Sequence, residues 1–480
     1  MAEKTGKAFD FKIFSRLMSF AKKYRTRFII AASSTILLAG FSALTPYVLM
    51  LTVDDFVTFK NTDNLLKNIL LMSAILLVEV ALNFTFIFYS NWVGQHIIKD
   101  IRIKTFRKII NFKMAYFDNN SVGKLVTRVV SDIETISNFF TQGVFMIVSD
   151  ILKMIVVTVV MLLINWQLAI ITFAILPILI YATKIFQKAI KATFQEVRNQ
   201  VANLNGFVQE RVTGIKIVQL FNREKIEYDN FKKINEKHKN AYIKTIYYYS
   251  IFFPIAEIFS SIGIGLIVWF GGQQVLDGYV EKPGVILGFI MFAQMLFRPL
   301  RQIADKFNQL QMGIVSGERV FKILDTESSI VKNGTIKAEK LEGCIAFKNV
   351  SFSYVSNQPV LKGISFNVQK GETVAIVGAT GAGKSTIISL INRFYEIDHG
   401  TICVDGIAIK EYHLESLRNE IAVVLQDVFL FSDTILNNIT LKNKNISLAQ
   451  VIEAAKQIGI HDFIMTLPNG YEYNVKERGG

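Results

Sequence analysis

The 480-residue sequence predicts an all-α, six-span transmembrane domain with long cytosolic helical extensions, followed by an α/β domain. Three observations predict this. Hydrophobic residues make up 51% of the chain and charged residues only 19%, a balance that suggests membrane spans rather than an ordinary soluble protein. Long apolar runs alternate with loops that are by turns rich and poor in Lys and Arg. A glycine-rich loop, "GATGAGKS", stands between a buried-strand run and an apolar helix.

The apolar runs cover residues 28–53, 65–91, 138–164, 167–186, 246–271 and 284–300. The first five are long enough to cross a hydrocarbon core as helices. The sixth is apolar from Val285 to Phe297 and then turns amphipathic. Eight Lys/Arg precede the first run, eight more lie in 92–137 and thirteen in 184–245. The loops at 54–64, 165–167 and 272–283 hold only Lys60 and Lys282 between them. This alternation puts the basic loops on the cytoplasmic side, the N-terminus included. It accounts for most of the net charge of +14 without a nucleic-acid partner. No apolar stretch of the signal-peptide kind precedes the first span, so no cleaved signal is expected. The two long basic loops have helical periodicity, so spans two to five are expected to continue as helices beyond the membrane.

Glu79, Asp150, Lys153, Glu257 and Arg298 lie inside the spans. A charge at the bilayer centre costs roughly 2.5–3.5 kcal/mol, so each should pair or face a polar cavity. Asp150 and Lys153 stand three apart on one helix, a spacing that allows pairing. The three acids would favour cationic amphiphiles as transported molecules, with lipids and peptides as alternatives. Pro46, Pro177 and Pro254 are candidate kinks. The aromatic cluster Tyr247–Tyr249, Phe252 and Phe253 reads as an interfacial belt. Cys344 and Cys403 read as small buried residues without a disulfide.

Residues 1–318 form the membrane domain on this reading, 319–342 a polar linker, and 343–480 the second domain. "IAFKNVSFSY" alternates as a strand does. "TVAIV" then reads as a buried strand and "STIISLINRFY" as a helix, with the glycine-rich loop between them. That order is what a phosphate-binding loop requires. Gly378, Gly381 and Gly383 let the backbone turn tightly. The backbone of Ala379, Thr380 and Ala382 and the helix start, including Thr386, then face an anion. Lys384 reaches the β and γ phosphates, and Ser385 ligates Mg²⁺. The second part is therefore an α/β P-loop nucleotide-binding domain, with ATP and Mg²⁺ as expected cofactors. Three apolar stretches end in an acid that hydrolysis would need: Asp325, Asp405 and Asp427. Asp325 precedes the domain, Asp405 sits in a hairpin turn "VDG", and Asp427 follows the strand "IAVVLQ" behind Gln426. No catalytic residue is assigned.

Taken together, these features resemble an ABC exporter half-transporter over essentially the whole chain. The resemblance implies that Tyr354, 24 residues before Gly378, stacks on adenine. It implies that Gln426, 42 residues after Lys384 within "VVLQDVFLFSDTILNNI", contacts Mg²⁺. "YFDNNSVGKLVTRVVSDIE" and "QERVTGIKIVQLFNREK" are similar to the two cytosolic loops that carry coupling helices. "VKERGG" resembles the segment ahead of the family's signature motif, Leu-Ser-x-Gly-Gln. That motif, the metal-binding Asp strand, the catalytic Glu and the switch His do not occur in this sequence. The expected activity is ATP-dependent export of a small hydrophobic or amphipathic substrate (drug-like, lipid or peptide) across the plasma membrane. The partner would be a second half-transporter, identical or different. The alternative is an ATP-binding, non-hydrolysing subunit or a truncated fragment. With central strands missing, the helical region 446–466 is expected to pack poorly.

Overall fold

The structure, a computed structural model, describes residues 10–55, 63–278, 283–328, 334–426 and 428–476. It divides into two compact units, 1–329 and 330–480.

The first unit is helical throughout its described residues. Helix α1, Phe11–Ala21, starts at Asp10, whose carboxylate accepts from the Lys12 and Ile13 N–H groups. Helices α2 (Arg25–Val53) and α3 (Asp63–Ile110) follow, then three short ones, α4 (Met114–Asp118), α5 (Val122–Val129) and α6 (Ser131–Asn138). A π-helical segment, Phe139–Phe145, leads into α7, Met146–Ile164. Helices α8 (Trp166–Thr213), α9 (Ile215–Leu220), α10 (Glu224–Leu276) and α11 (Gly284–Asp325) complete the unit.

Five helical stretches are long and apolar enough to cross a membrane, and a sixth, Gly284–Leu300 at the start of α11, is shorter. The count of six spans therefore rests on that last segment. Helices α3, α8 and α10 have 48, 48 and 53 residues. At 1.5 Å per residue they are about 70–80 Å long, more than twice the ~30 Å hydrocarbon thickness. The extensions that the basic loops predict are thus continuous with the spans. The short helices α5 and α9 fall inside the stretches 116–134 and 209–225. Ile217, Leu220 and Phe221 are exposed at and beside α9.

The two largest apolar clusters among the described residues of the unit join helices distant in sequence. One gathers Leu168, Phe252, Phe289 and Phe292 from α8, α10 and α11. The other gathers Leu17, Ile97, Phe139 and Phe321 from α1, α3, the π segment and α11. Helix α11 crosses the π segment closely and reciprocally. A Cβ on Gly313 would meet the Cβ of Phe139 at 2.2 Å, and one on Gly143 would meet Leu310 Cδ2 at 2.6 Å. The first N–H of α11, from Gly284, donates to buried Asp54 Oδ1 at 2.6 Å. That carboxylate satisfies a donor the helix itself cannot.

Asp132 of α6 is the polar counterpart of these contacts. Its carboxylate is buried and accepts from Arg128 of α5, from Arg319 Nε at 3.1 Å and from Ser316 Oγ at 3.2 Å, the last two on α11. Asp150 pairs with Lys306 of α11 and not with Lys153 as its spacing suggested. The facing helix supplies a partner that ties α7 to α11, which a neighbour on α7 itself cannot do. Residues 319–325, placed in a linker by their polarity, are the last turns of α11. Val320, Phe321 and Ile323 are buried there, and Asp325 pairs with Arg16 at 2.6 Å.

The second unit opens on an antiparallel hairpin, β1 (Ile345–Val355) and β2 (Gln358–Val368). Helix α12 (Lys384–Ile391) follows, then β3 (His399–Val404) and β4 (Ile407–Ala408). Helices α13 (Leu414–Asn419), α14 (Ile435–Thr440), α15 (Leu448–Gln457) and α16 (His461–Thr466) come last. The sheet order is β2-β1-β3-β4, all antiparallel. Asp405 and Gly406 turn β3 into β4 with φ of 50° and 81°, as "VDG" predicts. The Asp405 carboxylate accepts from the N–H groups of Glu342, Gly343 and Cys344 at 2.7–3.0 Å. Cys344 and Cys403 are free thiols, half-buried and buried.

Two expected strands, 373–377 and 421–425, are not paired into the sheet among the described residues. Val377 is 88% and Val424 98% exposed. Runs this apolar are built for burial on both faces and need strands on either side to complete their ladders. Asp427 and Glu477–Gly480, the end of "VKERGG", lie outside the described residues. The stretch 446–466, expected to pack poorly, forms helices α15 and α16, with Ile458, Phe463 and Met465 exposed. Ser447 and Gln450 form a capping box, and Val451, Ala455, Ile464 and Tyr471 form a small core of their own. These contacts are local to the region.

Asp433 accepts from the Thr434 N–H at 2.8 Å and from Asn437 Nδ2 at 2.7 Å, and it pairs with Lys442 at 2.7 Å. Lys442 above all, then Asn437 and Thr434, hold its carboxyl down to about 2. A depressed acid contributes stability above its unfolded value and loses it as pH falls through the folded one. The stability difference between wild type and Asp433→Asn should therefore shrink between about pH 4 and pH 2, as measured by denaturant titration. Asp132→Ala leaves two arginines facing an empty site and should cost about 2–4 kcal/mol, part of Arg319 being solvated. Thermal unfolding of the full chain in lipid nanodiscs, with Asp132→Asn as the milder comparison, measures it.

Candidate nucleotide-binding site

The loop "GATGAGKS" leads directly into α12, and its glycines are not equivalent. Gly381 and Gly383 have φ of 85° and 89°, the left-handed region that side chains disfavour. Gly383 is also hemmed in: a Cβ there would lie 2.7 Å from Leu361 Cδ2 and 3.1 Å from Val360 Cγ1 of β2. Gly378 is nearly extended, with φ of 158°. The turn thus favours glycine at the second and third glycines of the motif, Gly381 and Gly383.

The Ala382 N–H donates to the Ala379 carbonyl at 3.2 Å and closes the loop. Lys384 Nζ donates to the carbonyls of Gly378 and Ala379 at 2.9 and 2.8 Å, so its amine lies against the loop. Ala379, Thr380 and Ala382 are exposed, as is Ser385 in the first turn of α12. The first N–H groups of a helix have no partner within it, and the dipole adds partial positive charge there. A lysine amine, a hydroxyl and unsatisfied backbone donors at one helix start form a receptor for a polyanion such as a phosphate chain.

Thr386 is buried, and its hydroxyl accepts from Tyr354 Oη at 3.1 Å. This bond joins residues 32 apart in sequence and fixes the Tyr354 ring beside the loop. Phe352 and Tyr395 hold the ring edge-on, with centroids 4.8 and 5.1 Å away. Tyr354 remains 46% exposed, which leaves ring surface for a planar ligand. Tyr395 escaped the sequence reading. Its only signal is an aromatic just past the end of an apolar helix, a common feature of cores.

Gln426 makes no hydrogen bond to the loop or to Tyr354 among the described residues. It is exposed at a bend, and no hydrogen bond joins it to a described residue. Its position depends on segment 421–425, which lacks paired neighbours. Among the described residues no group of three or more His, Cys, Asp or Glu could hold a metal ion.

The family model of the ABC transporter transmembrane region matches residues 28–300, and that of the ABC transporter matches 361–474. The chain belongs to the ABC transporter family. It is 32% identical over 476 residues to an uncharacterized ABC transporter ATP-binding protein of Bacillus subtilis, YknV, covering 98% of this chain and 79% of that one. It is 31% identical to an ATP-dependent lipid A-core flippase of Syntrophus aciditrophicus, over 97% of this chain and 78% of the relative. A putative multidrug export ATP-binding/permease protein of Bacillus subtilis, YgaD, is 30% identical over 97% and 82%. This ABC transporter chain is an exporter half-transporter: a multi-pass membrane region followed by one ABC domain, which binds ATP.

Gly383→Val places a side chain both in a left-handed conformation and against Leu361. The strain is worth about 1–3 kcal/mol. Binding of a fluorescent ATP analogue to the full chain should fall at least about tenfold, and unchanged binding would show that the turn does not need glycine.

Proposed function

We propose that this half-transporter exports a small hydrophobic or amphipathic molecule from the cytoplasmic side of the plasma membrane, driven by ATP hydrolysis in a dimer with a second half-transporter. One observation carries the reading. A single chain joins helices that cross the membrane and extend far beyond it to a loop that satisfies the demands of a phosphate cradle. Two relatives are named for lipid A-core flipping and for multidrug export, and lipids and drugs are molecules of this class.

In this reading Lys384 neutralises the terminal phosphates. The backbone of residues 378–383 and the start of α12 hold the phosphate chain, with Thr386 supporting them from beneath. Tyr354 stacks on the adenine, steadied by Tyr395 and by its bond to Thr386. Ser385 and Gln426 hold Mg²⁺, which shields charge at the phosphates when bound. The loop fits such a ligand on its own geometry, since two left-handed glycines and a lysine converge on one helix start. Metal binding there runs through nucleotide oxygens and few protein groups, as is usual for Mg²⁺.

A second reading is an ATP-binding subunit that relies on its partner for turnover. It is favoured by Asp325 and Asp405, two candidate carboxylates already engaged by Arg16 and by three backbone N–H groups.

Lys384→Ala should weaken ATP binding at least about tenfold, as expected for loss of a charge-assisted contact. It should also abolish ATP-dependent export. Tyr354→Phe should keep ATP affinity within about threefold. Tyr354→Ala should lose about five- to 150-fold, the range of one aromatic–base stack. Nucleotide titration of the full chain reads both. Export retained in Lys384→Ala would sink the ATP-driven reading. Export lost with partner-dependent ATPase intact would favour the second.

A further inference from the structure

Helices α8 and α11 enclose a groove of about 630 Å³, closed on one side by Thr135 of α6. Lys188, Lys191, Gln195 and Arg198 line it from α8. Their spacings of three, four and three residues put all four on one face of the helix. Asn308, Gln311 and Arg319 line it from α11. The described lining contains four cations and several amides but no Asp or Glu.

The described acids nearby have partners elsewhere. Asp132 holds Arg319 and Arg128, Glu196 pairs with Lys244, and Glu134 with Arg102. Lys188, Lys191 and Arg198 are exposed, and none pairs with a described acid. Three cations with no described acidic partner within about 15 Å along one helix face repel one another, and an anion between them relieves that repulsion.

The groove also has a definite depth. The apolar run of α8 ends at Phe186, two residues before Lys188, and the apolar start of α11 ends at Leu300, eight residues before Asn308. The basic face therefore begins where the hydrocarbon ends, on the side of the basic loops. That is the level of a lipid headgroup, where clustered Lys and Arg attract anionic amphiphiles. A free phosphate would gain nothing from the adjoining apolar segments, whereas an amphiphile's tail would. The span acids had suggested a cationic substrate, but Asp150 is neutralised by Lys306.

We propose that this groove binds the anionic, phosphate-type headgroup of an amphiphilic substrate on its way into the membrane pathway. The proposal deepens the export reading and rests on it for the word substrate, but binding itself needs no ATP. The test uses the full chain in nanodiscs of zwitterionic lipid without nucleotide, with dodecyl phosphate as probe and empty discs as background. Dodecyl phosphate should bind, and the triple variant Lys188→Gln, Lys191→Gln, Arg198→Gln should bind it at least about tenfold more weakly. Dodecyltrimethylammonium, with the same tail and opposite charge, should not compete. ATP binding by the triple variant should be unchanged. If it is not, Lys191→Glu with ATP binding intact replaces it. Lys384→Ala should bind dodecyl phosphate normally, so failure of ATP-driven export leaves this result standing. Equal binding by wild type and variant, or competition by the cationic detergent, overturns the proposal. Displacement by inorganic phosphate at the same concentration also overturns it and assigns the groove to a free anion.

Discussion

One buried carboxylate, Asp132, fixes the geometry of the membrane unit at its basic end. It accepts from Arg128 on α5 and from Arg319 and Ser316 on α11. A charge this buried is tolerable only with such partners, and their removal leaves cations without an acceptor. The consequence is directional. Helix α5 is short and amphipathic and is stabilised by its neighbours rather than by its own length. With Asp132 in place it cannot shift without carrying α11, the helix that leads on toward the second unit. Gly313 under Phe139 and Gly143 under Leu310 add a steric lock one turn away. Polar and apolar constraints thus act on the same crossing.

Much of this architecture is legible in the sequence because membranes impose simple rules. Apolar length and the alternation of basic loops locate the helices and their long extensions. The loop glycines and Lys384 announce the phosphate cradle. What stays hidden are contacts between residues far apart in sequence. Asp150 looks paired with Lys153 three positions away, but Lys306 on a facing helix takes it. Tyr354 and Thr386 carry no local sign of their bond. Phe139–Phe145 reads as an ordinary helix, and only the close approach of α11 distinguishes it. Polarity misplaces 319–325, where buried Val320, Phe321 and Ile323 continue α11. Segments 373–377 and 421–425 show the opposite failure. Their composition is that of strands, yet a strand forms only with neighbours to bond. Gln426 suffers for it, since its place is set by such a segment.

The charge distribution links structure to function. Some of the 53 Lys and Arg residues form ion pairs that hold helices, such as Arg16 with Asp325 and Lys306 with Asp150. Along one face of α8, Lys188, Lys191 and Arg198 pair with no described acid. On the proposed reading, a half-transporter so arranged would concentrate anionic amphiphiles at the entrance of its own pathway, and the nucleotide domain would supply the drive without recognising the cargo. This division of labour explains why the phosphate loop is so readable and the substrate is not. Phosphate chains demand a fixed backbone geometry, while an amphiphile demands only charge at one depth and apolar surface at another.

The central claim is that ATP turnover at the phosphate loop moves an amphiphile across the membrane. The most direct measurement uses inside-out vesicles carrying the chain with its partner half-transporter and a fluorescent anionic amphiphile. The account predicts accumulation inside the vesicles with ATP and Mg²⁺, and none with a non-hydrolysable analogue. Equal accumulation with the analogue, or with no nucleotide, would contradict it.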